Sequence, residues 1–399
     1  MAKPRLLIVL NRLSIGGPAT NTLALAQALK DEFDILLIAG EPSEGEESAA
    51  YLLEPYNGFH VQMLQPMKRA VLPIDDVQAY RQIKTIIKNF KPQIIHTHGS
   101  KPGVLARIAA KRCRVPVIIH TFHGHVFHSY FSPFVSGLII RLERWLARQS
   151  TFLIAINERL QQELTERYRI ASPVKVRLNR LGIDVGALQD ADGSKRARFR
   201  REFQLQEQEV AIGIIGRLVP VKQHAVFVEL AVQLLQANIG KPLRFFIIGD
   251  GDEKHKLRQL LQQHQISYTT TDSSLNPSAS VVFTSWRKDM DVVMAGLDIV
   301  TLTSQNEGTP ISVMEAMAAG RPVIAADVGG IAELFQNNTN GLLYRQPSEL
   351  FQHTLHLVES PTYRNTIGEK AKNFAARELT ISQQAQSLRH LYSEALTKS

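Results

Sequence analysis

The feature that most restricts this chain is a rhythm. Short β-branched apolar runs alternate with longer segments of helical spacing along nearly all of its 399 residues. Strands are expected at 5–10, 34–39, 93–98, 116–120, 151–156 and 174–178, and again at 210–215, 244–248, 280–283, 299–303 and 322–326. Between them, segments such as 21–30 and 254–263 carry apolar residues at helical intervals. The strand candidates are apolar throughout rather than alternating, the mark of parallel sheets covered on both faces. The rhythm fails once, near 182–201, where LGIDVGALQDADGSKRARFR is rich in charge and glycine, and then restarts. This predicts an α/β protein of two doubly wound domains, 1–188 and 189–380, with a cleft between them. Ligands of such folds bind beyond the carboxyl ends of the strands, so the residues following each strand are where chemistry is sought.

Other classes are set aside by composition. A single cysteine, Cys113, allows no disulfide framework within the chain. The opening MAKPRLLIVLNRL has too short an apolar run and no small-residue cleavage site for a signal peptide, and reads as the first strand. The apolar stretch 134–140 is too short to span a bilayer and runs into Arg141. A cytoplasmic location is expected. Charge is unevenly placed: residues 1–188 hold 24 Lys and Arg against 15 Asp and Glu, and the remainder holds 22 of each, so the whole formal +9 lies in the first half. Such a half attracts an anionic partner, whether nucleic acid, phospholipid head group or phosphorylated acceptor, unless the bias is only that of a solvated surface.

In the second half, Gly216-Arg217 and Lys222 follow the strand 210–215. Two cations there can neutralise a diphosphate, Arg through its planar fork and Lys as a point charge. Farther on, Asn306-Glu307-Gly308-Thr309-Pro310-Ile311-Ser312-Val-Met-Glu315 follows the strand 299–303 and opens a helix ending at Gly320. Pro310 is expected in the first helical turn, with the amides of Ile311 and Ser312 forming an anion site. Glu307 and Glu315 beside phosphate are tolerable if they accept hydrogen bonds from sugar and ribose hydroxyls; otherwise they are a loop residue and a first-turn acid favoured by the helix dipole. Gly249-Asp250-Gly251-Asp252 resembles an acidic metal pair but opens a helix, so Asp252 reads as its N-cap or as a first-turn acid. Gly329-Gly330 can border the same site.

In the first half, Gly16-Gly17-Pro18 follows the first strand and leads to a helix expected from Asn21. His96, His98, His120, His123, His125 and His128 cluster at the ends of two successive strands. Without carboxylates or cysteines at ligand spacing, acid–base or hydrogen-bonding roles fit them better than a metal site. Residues 132–149 form an amphipathic helix. Its apolar face (Phe134, Val135, Leu138, Ile139, Leu142, Trp145 and Leu146) is expected to dock on the domain's own sheet, with contact to an anionic membrane surface as the second possibility.

The combination GRLVPVK, GDGDE and NEGTPISVMEAMAAGRPVIAADVGGIAEL, with GGPAT and the histidine segments, resembles the retaining family-4 glycosyltransferases of GT-B fold across nearly the whole chain. HTHGSKPGVLARIAA followed by VIIHTFHGHVFH further resembles the subgroup that builds bacterial capsule, exopolysaccharide and lipid-linked oligosaccharide chains. The resemblance implies two Rossmann-like lobes, with a C-terminal helix (about 381–399) crossing back onto the first. It implies an acceptor-binding first lobe and a second lobe that binds a nucleotide-sugar. It assigns Arg217 and Lys222 to the donor diphosphate, Glu307 to the donor sugar, Glu315 to the ribose, and Gly308, Thr309, Pro310, Ile311 and Ser312 to phosphate or sugar. Gly16 and Gly17 approach the diphosphate, and Trp286 lies by the base. His123 sits at the reaction centre and orients a sugar, and His98, Lys101 and His125 are placed on the acceptor side. The expected activity is metal- and cofactor-free transfer from a UDP-sugar to a lipid-linked or glycan acceptor, peripheral at the inner membrane face, with no nucleic acid partner. Two departures stand out: Ser285 replaces a glycine frequent in the family, and Asn179 to Gly182 is longer than the usual spacing. A non-hydrolysing sugar-nucleotide epimerase or a catalytically silent binding subunit are the rival readings.

Overall fold

The computed structural model describes residues 3–42, 47–54, 56–68, 70, 72–124, 132–237, 239–272, 275–336 and 339–398. The chain divides into two units, Met1–Gly182 with Ile381–Ser399, and Ile183–Thr380.

The first unit carries a sheet of β1 (Arg5–Arg12), β2 (Asp34–Gly40), β3 (His60–Leu64), β4 (Ile94–His98), β5 (Val117–Phe122), β6 (Phe152–Ala155) and β7 (Val176–Leu178), in the order β3-β2-β1-β4-β5-β6-β7. Its helices are α1 (Gly17–Leu29), α2 (Pro73–Phe90), α3 (Ser100–Arg112), α4 (Pro133–Gln149) and α5 (Glu158–Gln162). The second unit follows with α6 (Ser194–Glu202) and a sheet of β8 (Val210–Ile215), β9 (Leu243–Ile248), β10 (Tyr268–Thr270), β11 (Val281–Ser285), β12 (Ile299–Leu302), β13 (Val323–Ala326) and β14 (Leu342–Tyr344), in the order β10-β11-β9-β8-β12-β13-β14. Helices α7 (His224–Gln236), α8 (Lys254–Gln263), α9 (Met290–Gly296), α10 (Ile311–Ala318), α11 (Pro347–Glu359) and α12 (Pro361–Glu378) accompany it, and α13 (Ile381–Thr397) ends the chain. Adjacent strands pair in parallel throughout both sheets. Both are therefore Rossmann-like sheets, and each strand order reverses once, between β1 and β4 and between β8 and β12.

The central strands are apolar on both faces because helices cover both. Leu6 to Leu10 of β1 are all buried; Ile8 faces one core cluster with Leu23 and Tyr392, and Val9 another with Ile83 and Ile118. Helix α13 lies against α1 in the first unit and contributes Leu388, Leu391 and Tyr392 to its core. A buried amide clasp fixes it there. Asn21 donates to Gln384 Oε1 (2.7 Å) and to the carbonyl of Gly182 (2.8 Å), while Gln384 Oε1 also accepts from the Gly182 amide (2.9 Å).

Helix α4 corrects the sequence expectation. Most of its apolar face does not pack on the sheet: Phe134, Val135, Leu138, Leu142 and Trp145 are exposed, Phe134 at 77%, and of that face only Leu146 is fully buried. The buried side is Ser136, Glu143, Leu146 and Ala147. What holds that side is an ion pair. The fully buried Arg107 of α3 donates to Glu143 Oε2 at 2.7 Å and to the Gly103 carbonyl at 2.7 Å. A buried charge needs a partner, so Glu143 fixes the rotation of α4 against the pull of its apolar residues.

Truncating Leu388 to alanine removes a fully buried side chain from the α13 seam. It is expected to destabilise the first unit by about 2–5 kcal/mol, read as a lower midpoint in urea unfolding.

Candidate functional site

In the second unit the residues singled out from sequence lie beyond β8 and β12, the strands at which its order reverses. Gly216 and Arg217 follow β8, and a single 3-10 turn, Pro220–Lys222, turns the chain back. Lys222 Nζ lies 2.5 Å from Glu307 Oε1, both side chains being largely buried. Thr303 Oγ1 holds this arrangement by donating to the carbonyls of Lys222 and Gln223 (both 2.9 Å), and the Gln305 amide donates to Val221 O at 2.8 Å.

The Glu307 loop is gripped from its other side. Gly329 has φ +56°, and a Cβ there would stand 1.7 Å from the Glu307 carbonyl oxygen. The Gly330 amide donates to Gly308 O at 3.0 Å. Only glycine permits both that backbone angle and that approach. Gly249 plays the same part beneath the first loop: its φ is +131°, and a Cβ would meet Gly216 O at 2.1 Å.

Helix α10 begins at Ile311. Pro310 is its N-cap, at φ −75° and ψ 117°, one position earlier than expected. Its extended ψ aims its carbonyl into the helix, where it accepts from Val313 and Met314 (3.1 and 3.3 Å), leaving the amides of Ile311 and Ser312 as the helix-end donors. Glu315 lies on this helix; burial pushes its carboxyl up to about 7. Helix α8 likewise begins later than expected. Glu253, not Asp252, is its N-cap.

The departure at Ser285 has a structural basis. Ser285 closes β11 with φ +55°, a left-handed backbone that glycine adopts without strain. Its hydroxyl donates to Asp250 Oδ2 at 2.6 Å, and Lys254 Nζ bridges Asp250 (2.7 Å) and Asp272 (3.0 Å). Burial would raise the Asp250 carboxyl, but the bonds from Lys254, Ser285 and the Gly251 amide outweigh it and hold it below its ordinary value. Trp286 follows, half-buried. Sequence reading stopped at Lys222 and so missed His224, two residues on. It is 3% exposed with neither ring nitrogen hydrogen-bonded among the described residues, and burial together with the charge of Lys222 pushes it down to about 4. Only its adjacency to Lys222 could have signalled it.

In the first unit, Gly16 (φ +156°) is the N-cap of α1 and Gly17 its first residue, so the helix starts four positions before Asn21. Of the histidines at the ends of β4 and β5, His96, His98 and His120 are buried and His123 is half-buried. His96 Nδ1 bonds the Tyr392 hydroxyl (2.6 Å) and its Nε2 bonds Thr121 Oγ1 (2.7 Å). His120 Nδ1 bonds Thr97 Oγ1 at 2.8 Å. His98 Nδ1 and His123 Nε2 are 2.9 Å apart. The His98 and His96 rings lie 4.3 Å apart between centroids, tilted by 31°, and His98 Nε2 is buried without a hydrogen-bond partner among the described residues. If His98 donates through Nδ1, that Nε2 is a bare lone pair rather than an unmet N–H, the less costly tautomer. Lys101 is committed elsewhere, to the Asp76 carboxylate and to the carbonyls of Lys68 (3.0 Å) and Ala70 (2.6 Å). His125 and His128 lie outside the described residues.

Burial, with repulsion from His123, lowers His96 to about 3; burial alone lowers His123 to about 4; His98 and His120 also fall well below 6.5. All four are neutral at pH 7. Their unfolded forms take up protons near pH 6.5 while the folded forms resist, so the stability they contribute is complete above pH 6.5. It is lost as pH falls towards 4 and then 3. Urea unfolding between about pH 6 and pH 4 is expected to show a loss of about 1.4 kcal/mol per pH unit for each histidine involved, and little loss between pH 7 and pH 6.5; His123→Asn should make the slope shallower by one such contribution.

Known proteins resemble this chain in sequence and fold. The family model Glycosyltransferase Family 4 matches residues 15–186, and Glycosyl transferases group 1 matches 195–374. The UDP-Gal:alpha-D-GlcNAc-diphosphoundecaprenol alpha-1,3-galactosyltransferase of Escherichia coli is 26% identical over 91% of this chain and 89% of its own. Among solved structures, HepE of Anabaena in complex with UDP-glucose aligns with a TM-score of 0.78 at 20% identity, over 98% of this chain and 99% of its own. Sucrose-phosphate synthase of Thermosynechococcus elongatus aligns with a TM-score of 0.80 at 17% identity, over the whole of both chains. These likenesses carry the fold, and the two family models together span most of the sequence on both sides of the break: the chain belongs to the family-4 glycosyltransferases of GT-B fold.

Proposed function

We propose that this glycosyltransferase moves a sugar from a UDP-sugar to a lipid-linked glycan acceptor, with retention of configuration and without a metal. The observation that carries the reading is the Lys222–Glu307 pair, 2.5 Å apart beside the free amides of α10. It sets a cation and a carboxylate side by side, as a donor requires whose phosphates need positive charge and whose sugar hydroxyls need an acceptor. The Escherichia coli relative, by its name, uses UDP-galactose and an acceptor carried on diphosphoundecaprenol.

In the proposed reaction the acceptor hydroxyl attacks the anomeric carbon from the face of the leaving group. The bond from that carbon to the β-phosphate oxygen breaks, its electrons stay on the phosphate, and the acceptor proton passes to that oxygen. Lys222 and Arg217 hold the growing phosphate charge, as do the Ile311 and Ser312 amides, and Glu307 accepts from the sugar's hydroxyls. Glu315, with a carboxyl at about 7, meets the ribose. The half-buried His123, neutral at pH 7, orients a sugar and does not carry the proton.

Acceptor access follows from α4. Its exposed Phe134, Leu138 and Trp145, with Arg141, Arg144 and Arg148 on the same exposed surface, suit the interface of an anionic membrane in which a polyprenyl acceptor sits. No helix among the described residues is long and apolar enough to cross a membrane.

Lys222→Ala and Glu307→Ala are each expected to cut transfer to a diphosphoundecaprenol-linked acceptor by about 10²–10³-fold, measured with radiolabelled UDP-sugars. Near-normal transfer in both refutes the site assignment, loss of activity in EDTA refutes the metal-free reading, and interconversion of free UDP-sugars without acceptor favours an epimerase. Flotation with phosphatidylglycerol vesicles should be lost in a Phe134→Ser, Leu138→Ser, Trp145→Ser variant; equal flotation removes α4 from membrane contact.

A further inference from the structure

The second unit has another cationic centre, at the other edge of its sheet. A cavity of about 230 Å³ is lined by Arg196, Asp298, Gly320, Arg321, Pro322, Arg364 and Asn365. Asp298 immediately precedes β12, and Gly320 to Pro322 precede β13, so the cavity lies at the amino ends of these strands. The Lys222–Glu307 pair lies beyond the carboxyl ends, with the length of β12, about 13 Å, between the two edges.

Helix ends account for part of the arginines' positions. Helices α9, α10 and α11 all finish at this edge. Arg196 donates to the carbonyls of Ala295 and Gly296 (both 3.3 Å), Arg321 Nε to Ala319 O (3.1 Å) and Arg364 Nη1 to Leu357 O (2.9 Å). These bonds suit the negative end of a helix dipole. They leave most of the guanidinium donors of Arg321 and Arg364 unused, and among the described residues neither arginine has a carboxylate within ion-pair distance. The carboxylate in the cavity wall is already answered. Asp298 Oδ1 accepts from Arg196 at 2.7 Å, and its Oδ2 accepts from the Ala211 amide at 2.8 Å and faces Arg200 at 3.5 Å. Burial, then repulsion from Arg196, lowers Arg321 below its ordinary value against the opposing carboxylates of Asp298, Asp190 and Glu369; burial, with Arg196, likewise lowers Arg364 against Asp298. Two fork donors with excess positive charge around a polar hollow are matched by an oxyanion, which a pair of arginines binds in the plane of each fork.

We propose that this cavity binds a free phosphate-bearing anion, of the size of pyrophosphate or a sugar phosphate, at a site separate from the donor's. Pyrophosphate is the probe, titrated by calorimetry into the full chain already saturated with UDP. One-to-one binding is expected, weakened at least about ten-fold in Arg321→Gln and Arg364→Gln with UDP affinity unchanged. Asn365→Glu, at an exposed position of α12, places a repelling charge at the rim without removing an arginine, and should weaken pyrophosphate equally even if the arginine variants fold poorly. Lys222→Ala should weaken UDP and leave pyrophosphate alone, and pyrophosphate binding is readable even if the chain binds no UDP. The proposal is overturned if pyrophosphate fails to bind, or binds all three cavity variants as it binds the native chain. It is also overturned if only phosphatidylglycerol vesicles, and not pyrophosphate, depend on Arg321 and Arg364, since the phosphate is then a lipid head group.

Discussion

Parallel strand pairing is the constraint on which the other features rest. In a parallel sheet every strand ends on the same edge, and every returning helix starts there and finishes at the opposite one. In the second unit this puts the loops after β8 and β12 side by side where the strand order reverses, so Lys222 and Glu307, 85 residues apart, meet at 2.5 Å. The same rule gathers the carboxyl ends of α9, α10 and α11 at the other edge, where arginines meet them. One topological fact thus produces a helix-amino-end site on one side of the sheet and an arginine-lined cavity on the other.

The two loops are positioned by close backbone approaches, reinforced by the Thr303 hydroxyl on the Lys222 and Gln223 carbonyls. Gly329 lets a following loop lie on the Glu307 carbonyl, and Gly249 does the same at Gly216. No side chain fits between the backbones at these contacts, so each loop lies directly on its neighbour. In the first unit the positioning is polar and buried instead. The histidine chain from Tyr392 through His96 to Thr121, with His98 and His123 alongside, ties the end of the chain to the middle of the first sheet. Burial holds these imidazoles neutral, so their worth lies in directed hydrogen bonds and not in charge.

The central strands were legible because burial on both faces leaves an unbroken apolar run. Three edge strands were not: β3, β10 and β14 lie at the margins of their sheets, where one side lacks a neighbour and sequences such as HVQML and YTT need not be continuously apolar. The motif residues around Lys222 and Glu307 were found from their place after strands, but their pairing was not, because nothing in local sequence says which loops become neighbours. The same limit hid the Asp250–Ser285 bond and the buried His224.

Helix α4 marks the boundary most clearly. Its period of apolar residues predicts a helix and an apolar face, both of which follow from local geometry. Which face turns inward was decided by Arg107, a residue of another helix whose buried charge claims Glu143. Sequence by itself determined the alternation of strands and helices, the break between two units, and the loops that carry the charged and glycine residues, since these depend on neighbours along the chain. Tertiary structure alone decided the rotation of α4, the pairing of Lys222 with Glu307, and the meeting of Arg321 with Arg364 around one hollow. Each of these is a contact between segments far apart in sequence, fixed by charge neutralisation and close packing that no local pattern encodes.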